Sequence, residues 1–446
     1  MWRSRTYLAI HLLTVVALGC GGDDGSPDGA LATGSNLNLQ DVSPDGAWLA
    51  YTDDADVLFV VDIENGESQE LADSVDRARF RGNTLAIFQG IDALGETADA
   101  MLIWRPGGDV MDSGALVVPR TVRGSADHIY YEERVEVGSG TKNLFLNGSL
   151  VVEEADRERA RFSADSSWLV VGSNINAASP VEAFPTGGGA KVTLAADDAA
   201  NRFQIADDSE TVVIAVNESG DVADLATIPA GGGSTEIIVD QGSDNGFTLF
   251  GDSLAFLAPN DPQTPTDFGL ERIELDGSNR SELVASGVVD IVDTSSTDIV
   301  YATAFDFDTE IGTLRVASAD GASDRELGTA ALSEGFCPDE SCYVFFDQLA
   351  GADSSGRLQL YRSADDSLTT LDDSAVRSSF MNATTLVFRT DNDELRRADT
   401  TTGETTRIRA NVSDYEKVPD SIGGDSGRVV YEIQGGSNPG LFIESL

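Results

Sequence analysis

At 446 residues the chain has room for two or three average domains or one large repetitive one, and a 41% aliphatic and aromatic content excludes general disorder. Seventy-six acidic against 29 basic residues leave a formal net charge of −47, with lysine only at Lys142, Lys191 and Lys417. Such a field keeps the protein soluble, repels nucleic acid and anionic lipid surfaces, and favours cations, basic proteins or basic peptides as partners.

The chain opens Met-Trp-Arg-Ser-Arg, runs apolar from Tyr7 to Leu18 and reaches Gly19-Cys20. A basic start, a short hydrophobic stretch and a small residue before the cut predict a secretory signal over residues 1–19. The apolar run is too short to cross a hydrocarbon core of about 30 Å as a helix. Ala17-Leu18-Gly19-Cys20 resembles the lipobox of bacterial lipoproteins, departing from it at Ala17, where that family carries a larger aliphatic residue. The resemblance implies that Cys20 is lipidated and becomes the mature N-terminus. Gly21, where an Asp would favour inner-membrane retention in that family, points to the outer membrane, facing the periplasm or the cell surface. The membrane is then touched only through the anchor. The polar stretch Gly21–Gly29 reads as a flexible tether, so the expected division is 1–19 signal, 20–36 lipidated cysteine and tether, and 37–446 a single folded domain.

From residue 43 onward the sequence repeats. The first copy is Ser43-Pro44-Asp45-Gly46-Ala47-Trp48-Leu49-Ala50-Tyr51, then Leu58–Asp62, then a turn at Glu64–Glu67. The fourth is Ser163-Ala164-Asp165-Ser166-Ser167-Trp168-Leu169-Val170-Val171, then Val181–Phe184, then Gly187–Gly189. Further centres fall at Leu85–Phe88, Ile129–Tyr131, Val212–Ile214, Leu254–Phe256, Ile299–Tyr301, Tyr343–Phe345, Leu386–Phe388 and Val429–Tyr431, spaced about 36 to 45 residues apart. Short β-branched and aromatic runs with Asn-Gly, Asp-Gly and Gly-Gly turns predict four-stranded antiparallel blades. No sustained 3.6-residue apolar period occurs, so little helix is expected. A lone blade cannot bury both faces, and stacking in a ring hides faces and edges together. The fold expected is therefore an all-β propeller of about ten repeat units, read as one ring, with about seven to ten blades open and a pair of smaller rings as the alternative. The last copy ends at Gly440–Leu446 without an outer strand, which Leu31–Gln40 can supply, closing the ring.

Ser43-Pro44-Asp45-Gly46, the Leu49-Ala50-Tyr51 strand and Leu58–Asp62 resemble the Pro-Asp repeat of TolB-like propellers. Pro338-Asp339 and Ser163-x-Asp165 keep fragments of it. The resemblance implies a propeller fold and a periplasmic interaction role, without naming a partner.

Candidate chemistry is sparse. Cys337-Pro-Asp-Glu-Ser-Cys342 reads as a local disulfide in an oxidising compartment. His128, the one histidine left after export, starts a strand and lacks a Gly-x-Ser-x-Gly nucleophile turn, so no catalytic residue is assigned. Period-two geometry would place Asp306, Asp308 and Glu310 on one strand face, where three hard oxygen ligands suit calcium, although no Asp-x-Asp-x-Asp-Gly loop accompanies them. Trp48 and Trp168 hold matching places in two copies. Aromatic rings at a propeller mouth stack sugars or anchor peptides, and the same register also suits packing between blades. The leading reading is a monomeric, non-enzymatic interaction or scaffold module of the bacterial envelope with an envelope or extracellular protein or peptide as partner. A carboxylate- or calcium-dependent carbohydrate- or peptide-processing enzyme, or a sugar-binding surface module, is the alternative.

Overall fold

The computed structural model describes residues 30–34, 36–125, 127–136, 141–155, 157–173, 180–195, 202–219, 221–244, 246–261, 266–306, 308–309, 311–349, 355–419, 425–434 and 439–446. Among them there is no α-helix, only a single 3-10 turn at Pro119–Thr121. Everything else regular is antiparallel strand, folded as successive four-stranded meanders with the form of propeller blades.

Each repeat centre is the second strand of one such sheet. In the second sheet, for example, Arg77–Arg81 is followed by Thr84–Ile91, Ala98–Trp104 and Met111–Gly114. Leu85, Ala86 and Ile87 in its second strand have no exposure, which is why the sequence there is an unbroken apolar run rather than an alternating one. Outer strands such as Ser68–Ala72 are mostly exposed and polar.

One stretch departs from discrete blades. Residues from Asp290–Thr294 to Thr405–Ala410 form a single ten-stranded sheet. Its long strand Asp324–Phe336 pairs with Ile311–Ser318 as far as Ala331, and then with Tyr343–Asp347 from Leu332 onward. Ser367–Asn382 changes partner in the same way at Ala375. The outer strand of one unit thus runs straight on as the first strand of the next, and the sheet resolves into three four-stranded units.

The expected boundary between tether and domain moves. Ala30–Thr33, assigned to the 20–36 tether, is already a strand, pairing antiparallel with Gly440–Ser445 and completing the last sheet. The reason is apolar content: Leu31 is 5% exposed and packs with Leu39, Leu49 and Tyr51 of the first sheet and with Val430 and Leu441 of the last. Comparable clusters join successive sheets elsewhere. Leu58 and Val60 meet Ala78, Leu85 and Trp104 between the first and second, and Met381 and Val387 meet Tyr415 and Val429 between the last two.

Side chains on first strands also reach the backbone of the next first strand. The Gln40 amide oxygen accepts from Ala78 N at 3.0 Å, and Asp41 accepts from Phe80 N at 2.8 Å. Gln204 both accepts from Leu249 N and donates to Phe247 O, each at 2.9 Å. Asp293 accepts from Phe336 N at 3.3 Å. Neighbouring first strands do not pair with each other as a ladder, so these side chains satisfy backbone donors that would otherwise face inward unpaired.

Candidate functional site

Alternation decides what the first strands present. In Arg77–Arg81 the residues Ala78 and Phe80 are buried in the core, which leaves Arg77, Arg79 and Arg81 together on the opposite face. The third sheet begins with Arg123–Ser125, the fourth with Arg157–Phe162, where Arg159 and Arg161 flank the buried Ala160. Arg202 immediately precedes the first strand of the fifth, Phe203–Ile205.

Where the first strands of the third, fourth and fifth sheets meet there is a cavity of about 800 Å3. Its lining includes Arg123, Arg159, Arg161 and Arg202, with Phe162 and Phe203, and among the described residues contains no carboxylate, histidine or cysteine. Gly124 keeps the second and third first strands close, since a Cβ there would lie 2.3 Å from the Arg81 carbonyl oxygen.

Several of these arginines bond backbone carbonyls or rings rather than carboxylates. Arg123 donates to the carbonyls of Arg120 and Val122 at 2.7 and 3.1 Å, and Arg81 to Val122 O at 3.1 Å. Arg161 and Arg202 have no hydrogen bond or ion pair among the described residues; Arg202 lies over the Phe247 ring, 5.9 Å from its centroid. Burial pushes the Arg202 guanidinium below its ordinary value, and the fields of Arg159 and Arg161 push the same way against Asp290 and Asp244. Arg81 is lowered similarly, by burial first and then by Arg123, Arg79 and Arg77 against Asp41. Arginine does not lose its proton in proteins, so this repulsion persists as a standing positive potential.

A second feature lies on neighbouring hairpins of the second and third sheets. Asp92 accepts from the backbone N–H of Leu94, Glu96 and Thr97, and from the Thr97 hydroxyl, and these bonds hold its carboxyl at about 2. The turn so organised displays Leu94, 82% exposed, as its tip. Glu96 is ion-paired at 2.8 Å with Arg134, beside Val135 at 40% exposure on the adjoining hairpin. Two apolar side chains are thereby presented on a stiffened, charge-linked rim.

The residues singled out from sequence do not converge. Cys20 and Glu310 lie outside the described residues. The strand carrying Asp306 ends at Asp306; its carboxylate accepts from Asp308 N at 2.9 Å in an exposed turn, so the two aspartates do not share a strand face as expected. The turn wins because short Asp side chains bond locally to the backbone two residues on. Among the described residues no group of three metal-ligating side chains occurs.

Trp48 and Trp168 are half-buried against clusters between sheets; Trp48 meets Trp104 edge-on at 5.2 Å, and neither lines the cavity. Each follows the same turn, in which Asp45 or Asp165 accepts from the hydroxyl of Ser43 or Ser163 and that hydroxyl accepts from the backbone N–H of the tryptophan. Cys337 and Cys342 are disulfide-bonded, with Cα atoms 5.1 Å apart, and pack into the core between the eighth and ninth sheets. His128 bonds Asn147 at 2.9 Å and stacks on Phe162 at the start of its strand. The arginines were the residues missed. Their signal was present as Arg77-x-Arg79-x-Arg81 and Arg157-x-Arg159-x-Arg161, basic alternation in an acidic chain.

No protein-family model matches the chain, and no curated protein matches it. Solved structures with a similar course include a eukaryotic initiation factor, at TM-score 0.49 and 13% identity over 86% of this chain and 91% of that one. An oligogalacturonate lyase in complex with manganese aligns at TM-score 0.38 and 13% identity, covering 64% and 87%. A putative TolB from Agrobacterium tumefaciens aligns at 0.33 and 15%, covering 52% and 84%. At these levels nothing of their activities passes to this chain.

Proposed function

We propose that this chain is an exported, lipid-anchored propeller that acts as a protein-interaction module of the bacterial envelope, its blades closing into one ring with the N-terminal strand in the last blade. The cluster that gathers Leu31, Leu49 and Leu441 supports closure, since it packs the last sheet on the first. The observation that carries the docking role is the stiffened rim. Leu94 and Val135 stand exposed on adjacent hairpins, where burial under a partner would release about 25 cal/mol per Å2 of apolar surface covered. The carboxylate alternative has less behind it, because Asp306 and Asp308 occupy an exposed turn.

The test is a pull-down of the full chain from its native envelope at physiological salt, with calcium and with chelator. The reading expects one stoichiometric protein partner, retained in chelator and lost on Leu94→Glu. Recovery of glycan alone, or capture that disappears with chelator, contradicts it. For the anchor, Cys20→Ala should move the chain out of the membrane fraction, and continued retention there contradicts lipidation at that residue.

A further inference from the structure

We propose that the cavity between the first strands of the third, fourth and fifth sheets is a binding site for a compact polyvalent oxyanion, a small ligand carrying two or more carboxylate or phosphate groups. The inference is independent of the docking rim and of the anchor.

The first argument is composition against place. In a chain of net charge −47, four arginines line one cavity and, among the described residues, no carboxylate does. Several surface arginines elsewhere in this protein find acidic partners: Arg315 meets Asp324, Arg357 meets Asp347, Arg377 meets Asp414 and Glu416. In the cavity, Arg161 and Arg202 carry no ion pair among the described residues, and Arg123 is turned onto backbone carbonyls. Like charges brought together repel by about 332/(εr) kcal/mol, with effective ε near 20; the fields of Asp290 and Asp244 only partly offset this at Arg202, and an entering anion reverses the sign of the interaction.

The second argument is geometry. A guanidinium offers a planar fork of donors matched to the two oxygens of a carboxylate or phosphate, so several forks around one space suit several oxyanion groups. About 800 Å3 falls within the range of small-molecule sites, and Phe162 and Phe203 add apolar wall against which a carbon framework can rest.

The third argument selects compact over extended. A long polyanion would leave most of its charge lying over a strongly acidic exterior and be repelled there. A ligand wholly contained within the cavity meets the arginines alone.

The experiment is calorimetric titration of the purified full chain at low salt with citrate, pyrophosphate, acetate and polyglutamate as probes, on wild type, on Arg161→Gln with Arg202→Gln, and on Arg377→Ala. Citrate or pyrophosphate should bind one to one, at least tenfold more tightly than acetate or than polyglutamate per chain. Whichever of the two is tighter assigns the carboxylate or the phosphate source. The double variant should lose ten- to a hundredfold in affinity with a thermal midpoint no lower than wild type, and Arg377→Ala should bind as wild type. Equal affinity for acetate, polyglutamate as the tightest probe, or undiminished binding by the double variant each overturns the inference. Because no partner protein or membrane is present, this outcome stays separate from the fate of the interaction role.

Discussion

Two stretches of first strand occupy equivalent places in their sheets and treat arginine in opposite ways. In the ninth and tenth, Arg377 reaches Asp414 and Glu416, each at 2.7 Å, and lies over the Tyr415 ring at 5.1 Å. Both carboxylates belong to the next first strand, so the cation works as a clasp between blades. In the third to fifth sheets, arginines at the corresponding positions surround a cavity instead and repel one another. Position in the fold therefore does not set the role; the supply of counter-charge on the neighbouring strand does. Asp414 and Glu416 stand where Arg377 needs them, whereas of the strands beside Arg161 one begins with Arg123 and the other is immediately preceded by Arg202.

The comparison breaks most visibly under charge reversal. Arg161→Glu with Arg202→Glu should reduce citrate or pyrophosphate affinity by at least a hundredfold, about 2.7 kcal/mol, as read by titration. Next in size comes the staple of the eighth sheet. Reducing Cys337–Cys342 opens a loop of sequence separation 5, which the chain-entropy estimate puts at about 2 kcal/mol. Denaturant midpoints should fall accordingly while anion affinity stays unchanged.

Removing the clasp is smaller. Arg377→Ala loses two half-exposed ion pairs of about 0.2–1 kcal/mol each and a ring contact of about 0.5–1 kcal/mol. A net loss of about 1–2 kcal/mol is expected in urea unfolding.

The smallest effect is a pH dependence. Burial raises the Glu334 carboxyl above 4.5, opposed by its bond from Ser378 and by Arg377. A raised carboxyl gives stability that is full below 4.5, where both folded and unfolded chains are protonated, and lost as pH climbs through the folded value. Glu334→Gln should therefore melt slightly higher than wild type at pH 7 and no higher at pH 4. The turn aspartates behave in the opposite sense. Hydrogen bonds hold Asp165 at about 2, so its contribution is present above 3.8 and lost as pH falls towards 2.

The contrast between the two stretches also explains what the sequence could disclose. Second strands such as Leu85–Phe88 and Val212–Ile214 are covered on both faces, and burial on both faces writes itself as an unbroken apolar run. The Ser-x-Asp turn before Trp48 and Trp168 was legible for a similar reason: its hydrogen bonds close within six residues. The cavity was not legible. Arg161 and Arg202 are 41 positions apart, and in one dimension each looks like a polar residue on the open face of a strand. Only the side-by-side placing of three first strands makes them neighbours. Asp306 and Asp308 failed the other way, since close spacing suggested a shared face and a local turn separated them.

The most direct test of the division is thermal unfolding without ligand, at low salt, of wild type, Arg161→Gln with Arg202→Gln, and Arg377→Ala. The account predicts that the cavity variant melts at or above wild type, because its arginines repel one another, while Arg377→Ala melts about 1–2 °C lower. A cavity variant that falls as far as Arg377→Ala would contradict the account, for it would make those arginines part of the scaffold and leave no standing charge for a ligand to answer.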